Sequence, residues 1–362
     1  MLLKMSDLIV NIVSIQELEA GEWNEFVASI PESTFFCTSD WWSAFKDSFF
    51  LIIRNNTGEI VSGIPFRIAS VLPLIGHLFR FGWSDSSALV SEKLNEVEAS
   101  RIKQQTIGEL INYLKGKVIA FTVSSKVRSF DAKLLMNLGF SIEKCATLII
   151  DLSKDLDVIC KSFSKGNKSS VHKGEVLGVK VSINEGVSGY PYISDYCRLQ
   201  RTLFERKKRG YSDIYYKDES YLRSILGAHY NRVYLAMAYY NGMPAAGAVL
   251  ISCKKQLIYY LGASDSSVTR VSQASNYLHY EIIKFAKASG FLTYDFGNIP
   301  FTPDSGKPDY GVYVFKNGFG GMRKEYDHGN LILNKFKYRI IWRLRQAENN
   351  PILLFFYRLL KR

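Results

Sequence analysis

Hydrophobic residues along the first part of the chain follow two spacings, one typical of helices and one typical of strands. Apolar residues three or four positions apart predict a helix over residues 15–26, and Thr38-Ser39-Asp40 is an N-cap sequence for a second, short helix. Two β-rich runs, 50–54 and 60–67, flank Asn55-Asn56-Thr57-Gly58, which predicts a hairpin. These elements open a first α/β lobe.

The alternation of strands and helices continues along the rest of the chain. Asn241-Gly242 predicts a type I′ turn within an antiparallel meander of three strands. Strands and helices follow the same order in both halves, so two α/β lobes are expected and an internal duplication stays open. The further predicted helices are 92–115, 131–140, 154–177, 193–208, 220–229 and 276–289, and the further predicted strands are 118–123, 147–152, 179–183, 233–240, 245–253, 256–263 and 292–296.

Composition is that of a globular protein with two domains. The chain has 362 residues, of which 47% are hydrophobic and 14% aromatic, enough apolar surface for two cores. Lysine and arginine exceed aspartate and glutamate by 46 to 34, which gives a net charge of +12. Such an excess favours anionic partners, namely nucleic acid, acidic lipid or a phosphorylated substrate.

The cysteine, histidine and hydropathy patterns indicate the cellular compartment and the kind of protein. The five cysteines are widely spaced and form no metal-ligand motif, which indicates a reducing cytosol, and the five histidines form no metal or triad pattern. No uncharged apolar run reaches about 18 residues, the length needed to span a bilayer. We therefore expect a cytoplasmic protein that is soluble or peripheral at the inner face of a membrane, without a bound metal.

One candidate for chemistry is the strand end Tyr294-Asp295-Phe296-Gly297-Asn298. It places a carboxylate and a glycine where open α/β sheets form their ligand crevice. The alternative is a structural turn in which Asp295 bonds to the local backbone.

The second candidate is the aromatic stretch 313–321, which follows a polar loop at 300–310 that could cover a substrate. Lys316 lies there among aromatic residues and precedes a glycine-rich end. A lysine in such surroundings loses hydration, so it favours an anionic ligand or a developing oxyanion. The alternative is a lysine whose stem lies on the aromatic surface and whose ammonium group stays in water.

A series of motifs in a fixed order resembles the Fem family of non-ribosomal peptidyl transferases, and the resemblance covers nearly the whole chain. The fold implied is α/β (α+β), with two GNAT-like lobes that each contain a mixed, largely antiparallel sheet flanked by helices. The motifs are Phe35-Phe36-Cys37-Thr38 before Trp41-Trp42, the strand 147–152, the basic helix ending at Gly178-Val179-Lys180-Val181, Arg209-Gly210, Tyr259-Tyr260-Leu261-Gly262-Ala263-Ser264, Tyr294-Asp295-Phe296-Gly297 and Phe315-Lys316-Asn317-Gly318-Phe319-Gly320.

The resemblance also implies where the domains begin and end. Residues 1–147 form the first lobe, to which the chain returns at about 318–340. Residues 148–317 form the second lobe, which carries the active site, and residues 341–362 form a basic amphipathic tail.

The activity implied is transfer of an amino acid from aminoacyl-tRNA to an amine of a cell-envelope precursor. The acceptor is a peptidoglycan stem peptide or an amino sugar of a surface polysaccharide. Phe315 and Lys316 correspond to the family's catalytic pair, and the lysine stabilises the transition state of acyl transfer. The substrate-binding residues implied are Lys46 and Arg209, which grip the phosphates of the precursor, together with Tyr260, Asp295, Gly297 and Asn298.

Three departures from the family pattern leave the donor open. The basic run 168–174 has Lys168 and His172 where many relatives have arginines, and lysine binds phosphate only as a point charge. Cys37 replaces a common glutamine, and there is no room for the helical hairpin of some tRNA-using members. The main enzymatic alternative is an acyl-CoA dependent N-acetyltransferase, although the stretch 270–275 lacks the glycines that let backbone approach a pyrophosphate. The donor is therefore aminoacyl-tRNA or acyl-CoA, and no resident cofactor is expected.

The tail at 335–362 intersperses arginine and lysine with apolar residues, which suggests docking to an anionic membrane surface where lipid-linked precursors reside. The alternative is a pair of helices that pack on the first lobe. A nucleic-acid-binding module, suggested by the net charge and by the lysines of 161–173, is the non-enzymatic alternative.

Overall fold

The computed structural model describes residues 8–31, 33–70, 78–124, 131–207, 217–228, 232–307 and 309–346 of the chain. Internal contacts divide the chain into two compact units. Unit 1 runs to Lys144 and resumes at Asp327, and unit 2 is Cys145–Tyr326. By these contacts the chain returns to unit 1 at residue 327, whereas the sequence predicted a return at about 318.

Unit 1 contains a mixed sheet with the order β1-β2-β3-β4-β6-β13, and a short strand β5 pairs with β3. Only β4 and β6 are parallel to each other, and the other described pairings of this unit are antiparallel. Its elements are β1 (Ile9–Ser14), α1 (Ala20–Ala28), α2 (Ser39–Ser43), β2 (Ser48–Arg54), β3 (Ile60–Ser70), β4 (Arg80–Ser84), β5 (Leu89–Val90), α3 (Glu96–Leu114), β6 (Ala120–Ser124), α4 (Ala132–Asn137), the start of β7 (Ser141–Asp151), the end of β13 (Met322–Ile332) and α12 (Lys335–Gln346).

Local sequence sets the boundaries of unit 1. Asn95 and Glu98 form a capping box, in which the Asn95 side chain accepts from the Glu98 N–H, so α3 begins at Glu96 instead of at the predicted residue 92. The buried face of α3 packs on a core that includes Phe66 and Phe121. The predicted hairpin at 55–58 joins β2 and β3, and Gly58 supplies the positive φ of that turn.

Unit 2 has the strand order β7-β12-β11-β10-β9-β8. β11 and β12 are parallel, and the other described pairs are antiparallel. Its elements are the end of β7, α5 (Leu156–Ser162), α6 (Lys165–Val176), β8 (Lys180–Glu185), α7 (Ile193–Arg206), α8 (Glu219–Ala228), β9 (Val233–Tyr240), β10 (Met243–Cys253), β11 (Gln256–Ser264), α9 (Ser266–Ser272), α10 (Ala274–Ala288), β12 (Thr293–Ile299), α11 (Tyr310–Asn317) and the start of β13.

The meander β9-β10-β11 has the turn that the sequence predicted. Asn241 and Gly242 both have positive φ, as a type I′ turn requires. The long helix α10 buries Leu278, Ile282 and Ile283 against the core of unit 2. The predicted class, α/β with a mixed and largely antiparallel sheet in each lobe, is confirmed.

Several predicted elements were wrong in place or kind. The predicted helix at 15–26 begins only at Ala20, and the strand β1 before it was not predicted. The predicted helix at 154–177 is two helices, because Phe163 adopts an extended conformation after α5 and Ser164 then caps α6 by accepting from the Asn167 N–H. The helix α11 was not predicted, since Tyr313, Val314 and Phe315 are weak helix formers.

The described part of the C-terminal tail is a helix of unit 1. In α12, Ile341 is buried and packs with Ile119, Phe79 and Phe81, which corresponds to the alternative of packing on the first lobe. Residues 347–362 of the predicted tail lie outside the described residues. Within the described part of the chain, no helix is long and apolar enough to span a bilayer.

Candidate active site

The candidate site lies where two parallel strands of unit 2 separate. The ladder of β11 and β12 pairs Gln256–Ile258 with Thr293–Asp295 and then ends, although β11 runs on to Ser264 and β12 to Ile299. Both strands are irregular at this point. An extra residue, Tyr260, interrupts the register of β11 with β10, and β12 shifts its register with β7 between Asp295 and Asn298. The two bulges open the sheet beside the predicted strand end.

Gly297 occupies the bulge of β12 because no other residue fits there. Its φ is +69°, and a Cβ atom at this position would lie 2.8 Å from the carbonyl oxygen of Tyr259. A side chain at this position would therefore push β11 and β12 apart.

The Asp295 carboxylate closes the same bulge. Its Oδ1 accepts from the Gly297 N–H at 2.7 Å and from the hydroxyl of Thr147, which also lies 2.9 Å from the Gly297 carbonyl oxygen. Asp295 thus bonds to local backbone, as the structural-turn alternative expected. It shapes the opening between the strands, and its Oδ1 is engaged by two donors.

Lys316 reaches this opening from α11. Its side chain is 8% exposed, its Nζ donates to the Asn298 carbonyl oxygen at 2.8 Å, and the same nitrogen lies 5.4 Å from the centroid of the Tyr259 ring. A Cβ on Gly297 would be 4.0 Å from Nζ. The ammonium group is therefore held at the bulge, and the alternative of a head group extending into water is wrong. Carbonyl oxygen and aromatic face both stabilise a cation in this position.

Phe315 and the residues around it fix α11. The Phe315 ring lies 5.4 Å from the His279 ring and 5.5 Å from the Phe319 ring, both edge-on. Asn167 of α6 donates to the Phe315 carbonyl oxygen at 3.4 Å and packs so closely on Gly318 that a Cβ there would lie 2.6 Å from its Oδ1. The catalytic pair implied by the resemblance is thus placed on a helix whose C-terminal end is held by packing.

His279 lies under this pair and is uncharged. It is 3% exposed, its Nδ1 is 2.8 Å from the Tyr294 hydroxyl, and its ring centroid is 4.6 Å from that of Tyr259. Burial, with a smaller contribution from the charge of Lys316, lowers the pKa of His279 to about 3. A neutral imidazole can stay buried close to a lysine, whereas a second cation there would be strongly disfavoured.

Two other predicted substrate-binding residues of unit 2 lie near the opening. Tyr260 is the bulge residue of β11, and its hydroxyl is 2.6 Å from the hydroxyl of Tyr221 on α8. The Asn298 side chain is exposed, and its Oδ1 accepts from the Tyr326 hydroxyl. Asp295, Gly297, Asn298, Phe315 and Lys316 are brought together.

The remaining two predicted residues are not part of this arrangement. Lys46 is an exposed residue of unit 1, in the turn before β2. Arg209 lies outside the described residues.

Sequence reasoning missed three residues that build the site. Tyr259 was quoted only as part of a motif, and Thr147 only as the start of a strand. His279 was given no functional role because it has no metal or triad partner in the local sequence. Its spacing four residues before Ile283 on the buried face of α10 was the available signal, but it indicates burial and not what the ring contacts.

Burial also raises the pKa of Tyr259 to about 12, so the phenol beside Lys316 keeps its proton at neutral pH. Among the described residues, no group of His, Cys, Asp and Glu side chains is arranged to hold a metal ion.

Comparison with known proteins identifies the fold of the region that carries the site. Residues 192–316 match the acetyltransferase (GNAT) domain, so the match ends at Lys316. Lipid II:glycine glycyltransferase of Staphylococcus haemolyticus is 31% identical over 102 residues, which cover 28% of this chain and 24% of that protein. The same enzyme of Staphylococcus aureus is 30% identical over 102 residues, with the same shares of 28% and 24%. The aligned region thus spans about a quarter of the length of these relatives.

Solved structures extend the likeness to nearly the whole chain. The crystal structure of FemX has a TM-score of 0.64 at 16% identity and covers 91% of this chain and 99% of its own. A tandem GNAT protein from the clavulanic acid biosynthesis pathway has a TM-score of 0.53 at 11% identity, with coverage of 90% and 98%. These similarities confirm the predicted resemblance and the tandem GNAT fold.

Proposed function

Given a GNAT domain that ends on Lys316 and a resemblance to the Fem-type transferases, we propose that this protein transfers an acyl or aminoacyl group to an amine of a cell-envelope precursor. The observation that carries the proposal is the placement of Lys316. Its ammonium group is buried, oriented by the Asn298 carbonyl and the Tyr259 ring, and held where β11 and β12 separate.

An oxyanion forms during acyl transfer, and the reaction needs a cation or hydrogen-bonding group that stabilises it. The acceptor amine attacks the acyl carbonyl carbon, a C–N bond forms, and negative charge develops on the carbonyl oxygen. Lys316 is the group proposed to stabilise that oxygen, because a cation fixed in advance spends no free energy on reorientation. The C–O or C–S bond to the donor then breaks, and the proton lost by the amine passes to the leaving oxygen or sulfur.

The acceptor proposed first is the stem peptide of a lipid-linked peptidoglycan precursor, with an amino sugar of a surface polysaccharide as the second choice. The supporting observation is the similarity to lipid II:glycine glycyltransferases. Because the aligned region is a quarter of those enzymes, the acceptor must be identified by experiment.

The donor proposed is aminoacyl-tRNA, and acyl-CoA is the second candidate. The stretch that would cradle the pyrophosphate of coenzyme A joins two helices. Ser272 ends α9, Gln273 has a left-handed φ of 55°, and the Ala274 N–H that begins α10 already donates to the Ser272 hydroxyl at 3.3 Å. A backbone donor engaged in this way is less accessible to phosphate. The observation that favours acyl-CoA is the match to an acetyltransferase domain.

The test combines product mass with a matched pair of variants. Purified protein is incubated with lipid II and either glycyl-tRNA or acetyl-CoA, and the mass added to the precursor names the donor. Lys316→Met is expected to lower kcat about 100-fold or more, since a lost oxyanion donor costs this much, while the melting temperature changes little.

Lys180→Met is the control, because Lys180 is an exposed lysine on β8 of the same unit. It should retain the activity of the unmodified protein. Full activity of Lys316→Met with either donor would refute the proposed role of the lysine, and no mass change with any donor would refute the proposed function.

Attachment at the inner face of an anionic membrane is a finer part of the proposal. On α12 the spacing of Lys335, Phe336, Arg339, Trp342 and Arg343 places them on one face, and all five are exposed. Aromatic residues among cations are typical of helices that lie in a lipid interface.

Membrane attachment is tested by co-sedimentation with vesicles. We expect binding to phosphatidylglycerol vesicles and not to phosphatidylcholine vesicles, and weaker binding for Phe336→Ala with Trp342→Ala. Val97→Ala is the control, since Val97 and Phe336 are equally exposed at 74%. Unchanged binding of the double variant would exclude this face of α12 as the attachment surface.

A further inference from the structure

Arg67, in unit 1 and outside the site described above, packs over two aromatic rings. Its Cζ lies 4.6 Å from the centroid of the Phe45 ring and 5.1 Å from that of the Trp83 ring. Trp83 is the residue that pairs with Arg67 across β3 and β4. The guanidinium is planar, so its donors lie in one plane, and the two rings stabilise its charge.

One edge of this guanidinium is already engaged. The Nε donates to Asp47 Oδ1 at 2.5 Å, and Asp47 is itself fixed because its carbonyl oxygen accepts from the Ile68 N–H at 3.2 Å. Arginine has five donors, so this bond accounts for one of them. Within the described residues, no hydrogen bond is made by the two terminal nitrogens, Nη1 and Nη2.

The edge that carries these nitrogens is accessible. The Arg67 side chain is 22% exposed, and Lys46, which precedes Asp47 in the chain, is exposed as well. Asp47 neutralises one positive charge, so Lys46 and Arg67 together leave one in excess. Stacking and the Asp47 bond hold the side chain in place, so little rotamer entropy is lost when a ligand binds.

We infer that Arg67 forms the centre of an oxyanion site in unit 1 that takes a phosphoryl group, with Nη1 and Nη2 as paired donors. Two parallel N–H groups match two oxygens of a phosphate, and the charge of Lys46 favours a ligand with more than one negative charge. Identification of the natural ligand as the phosphorylated precursor rests on the proposed function, whereas binding of a phosphoryl group by Arg67 does not.

The test measures binding of inorganic pyrophosphate by calorimetry, without donor or acceptor. Arg67→Lys keeps the charge but loses the paired donors, so it should weaken binding about tenfold or more. Lys46→Met should weaken binding less, because it removes a longer-range charge. Arg80→Lys is the control, since Arg80 is an exposed arginine of the same unit, and its affinity should equal that of the unmodified protein.

Three outcomes would overturn the inference: no binding of pyrophosphate by the unmodified protein at millimolar concentration, equal affinity for Arg67→Lys, or equally tight binding of acetate. If Arg67→Lys does not fold, as judged by its melting curve, the Lys46→Met and acetate measurements decide. Failure of the transfer assay with intact pyrophosphate binding would refute the proposed function alone. Absence of pyrophosphate binding together with intact transfer activity would refute the inference alone.

Discussion

Two buried side chains of unit 2, His279 and Tyr196, differ in whether their polar atom has a hydrogen-bond partner. His279 has a partner, the hydroxyl of Tyr294, and stays neutral. Tyr196 is fully buried on α7, packed so closely on Gly247 that a Cβ there would lie 2.8 Å from its ring, and its hydroxyl has no hydrogen-bond partner among the described residues. Burial raises the pKa of Tyr196, so the phenol keeps its proton. Removal of the Tyr196 hydroxyl and removal of the Tyr294 hydroxyl should therefore have opposite effects on stability.

We expect Tyr196→Phe to increase the free energy of unfolding by roughly 1 kcal/mol, because it removes an unpaired buried hydroxyl. Tyr294→Phe should decrease it by about 1 to 3 kcal/mol, because it leaves His279 Nδ1 without its partner. Urea unfolding of the two variants at pH 7 is the measurement. An equal loss of stability in both would mean that the Tyr196 hydroxyl is paired after all.

The pKa of His279 makes stability depend on pH. It is about 3 in the folded protein against 6.5 for an unperturbed histidine, so between these values the unfolded chain binds one proton more. The contribution is fully present above pH 6.5 and is lost as the pH falls, by about 2 kcal/mol between pH 7 and pH 5.

His279→Gln removes this titration while its amide can still bond to Tyr294. Urea unfolding at both pH values should show a smaller drop for the variant than for the unmodified protein, by about that amount. An identical drop in both proteins would show that His279 is protonated in the folded state.

At the scale of elements, the opening between β11 and β12 depends on backbone geometry. Gly297 has positive φ and no room for a Cβ, whereas Gly290, after α10, has a positive φ of 77° and nothing within 4 Å of the Cβ position. Substitutions at the two glycines therefore distinguish the cost of backbone strain from the cost of steric contact.

Gly290→Ala should cost about 1 kcal/mol of stability, from the left-handed backbone alone. Gly297→Ala should cost more and should also lower kcat, because contact with the Tyr259 carbonyl displaces β12 and with it the Asn298 carbonyl that orients Lys316. Thermal unfolding and the transfer assay measure the two effects. Equal stability and activity for both variants would show that the bulge tolerates a side chain.

The element that carries Lys316 shows the limit of prediction from sequence. The sequence singled out Asp295, Gly297 and Lys316 because they are unusual in kind, and the structure brings the three together. The helix α11 was not predicted, because local propensity opposes it and packing of Phe315 on His279 and Phe319 stabilises it. Residues far apart in sequence, such as Thr147 and Tyr259, contribute contacts that no local pattern contains.

At the scale of the whole molecule, the chain returns to unit 1 after it has built unit 2. Residues His328–Ile332 of β13 pair with Ser124–Ala120 of β6, and Leu331 is 7% exposed in the core of unit 1. Residues some two hundred positions away in sequence thus complete the first core.

Leu331→Ala should therefore destabilise unit 1 by about 2 to 5 kcal/mol, through lost burial and the cavity left behind. Ile332→Ala, at an adjacent position that is 40% exposed, is the control and should have little effect. Hydrogen exchange should accelerate in β6 and leave the β9-β10-β11 meander of unit 2 unchanged. Equal acceleration in both units would show that the two cores do not open separately.

The sequence by itself determined the class of fold, the meander with its Asn241-Gly242 turn and the choice of Lys316 as a functional candidate. These follow from hydrophobic periodicity, turn chemistry and the cost of burying a charge, all of which act within a few residues. Only the tertiary structure decided that Asp295 closes a bulge, that Tyr259 and the Asn298 carbonyl orient the lysine, and that Arg67 packs over the rings of Phe45 and Trp83. Those arrangements arise where separate elements meet, and the chain specifies them through packing and strand register, which a local pattern does not record.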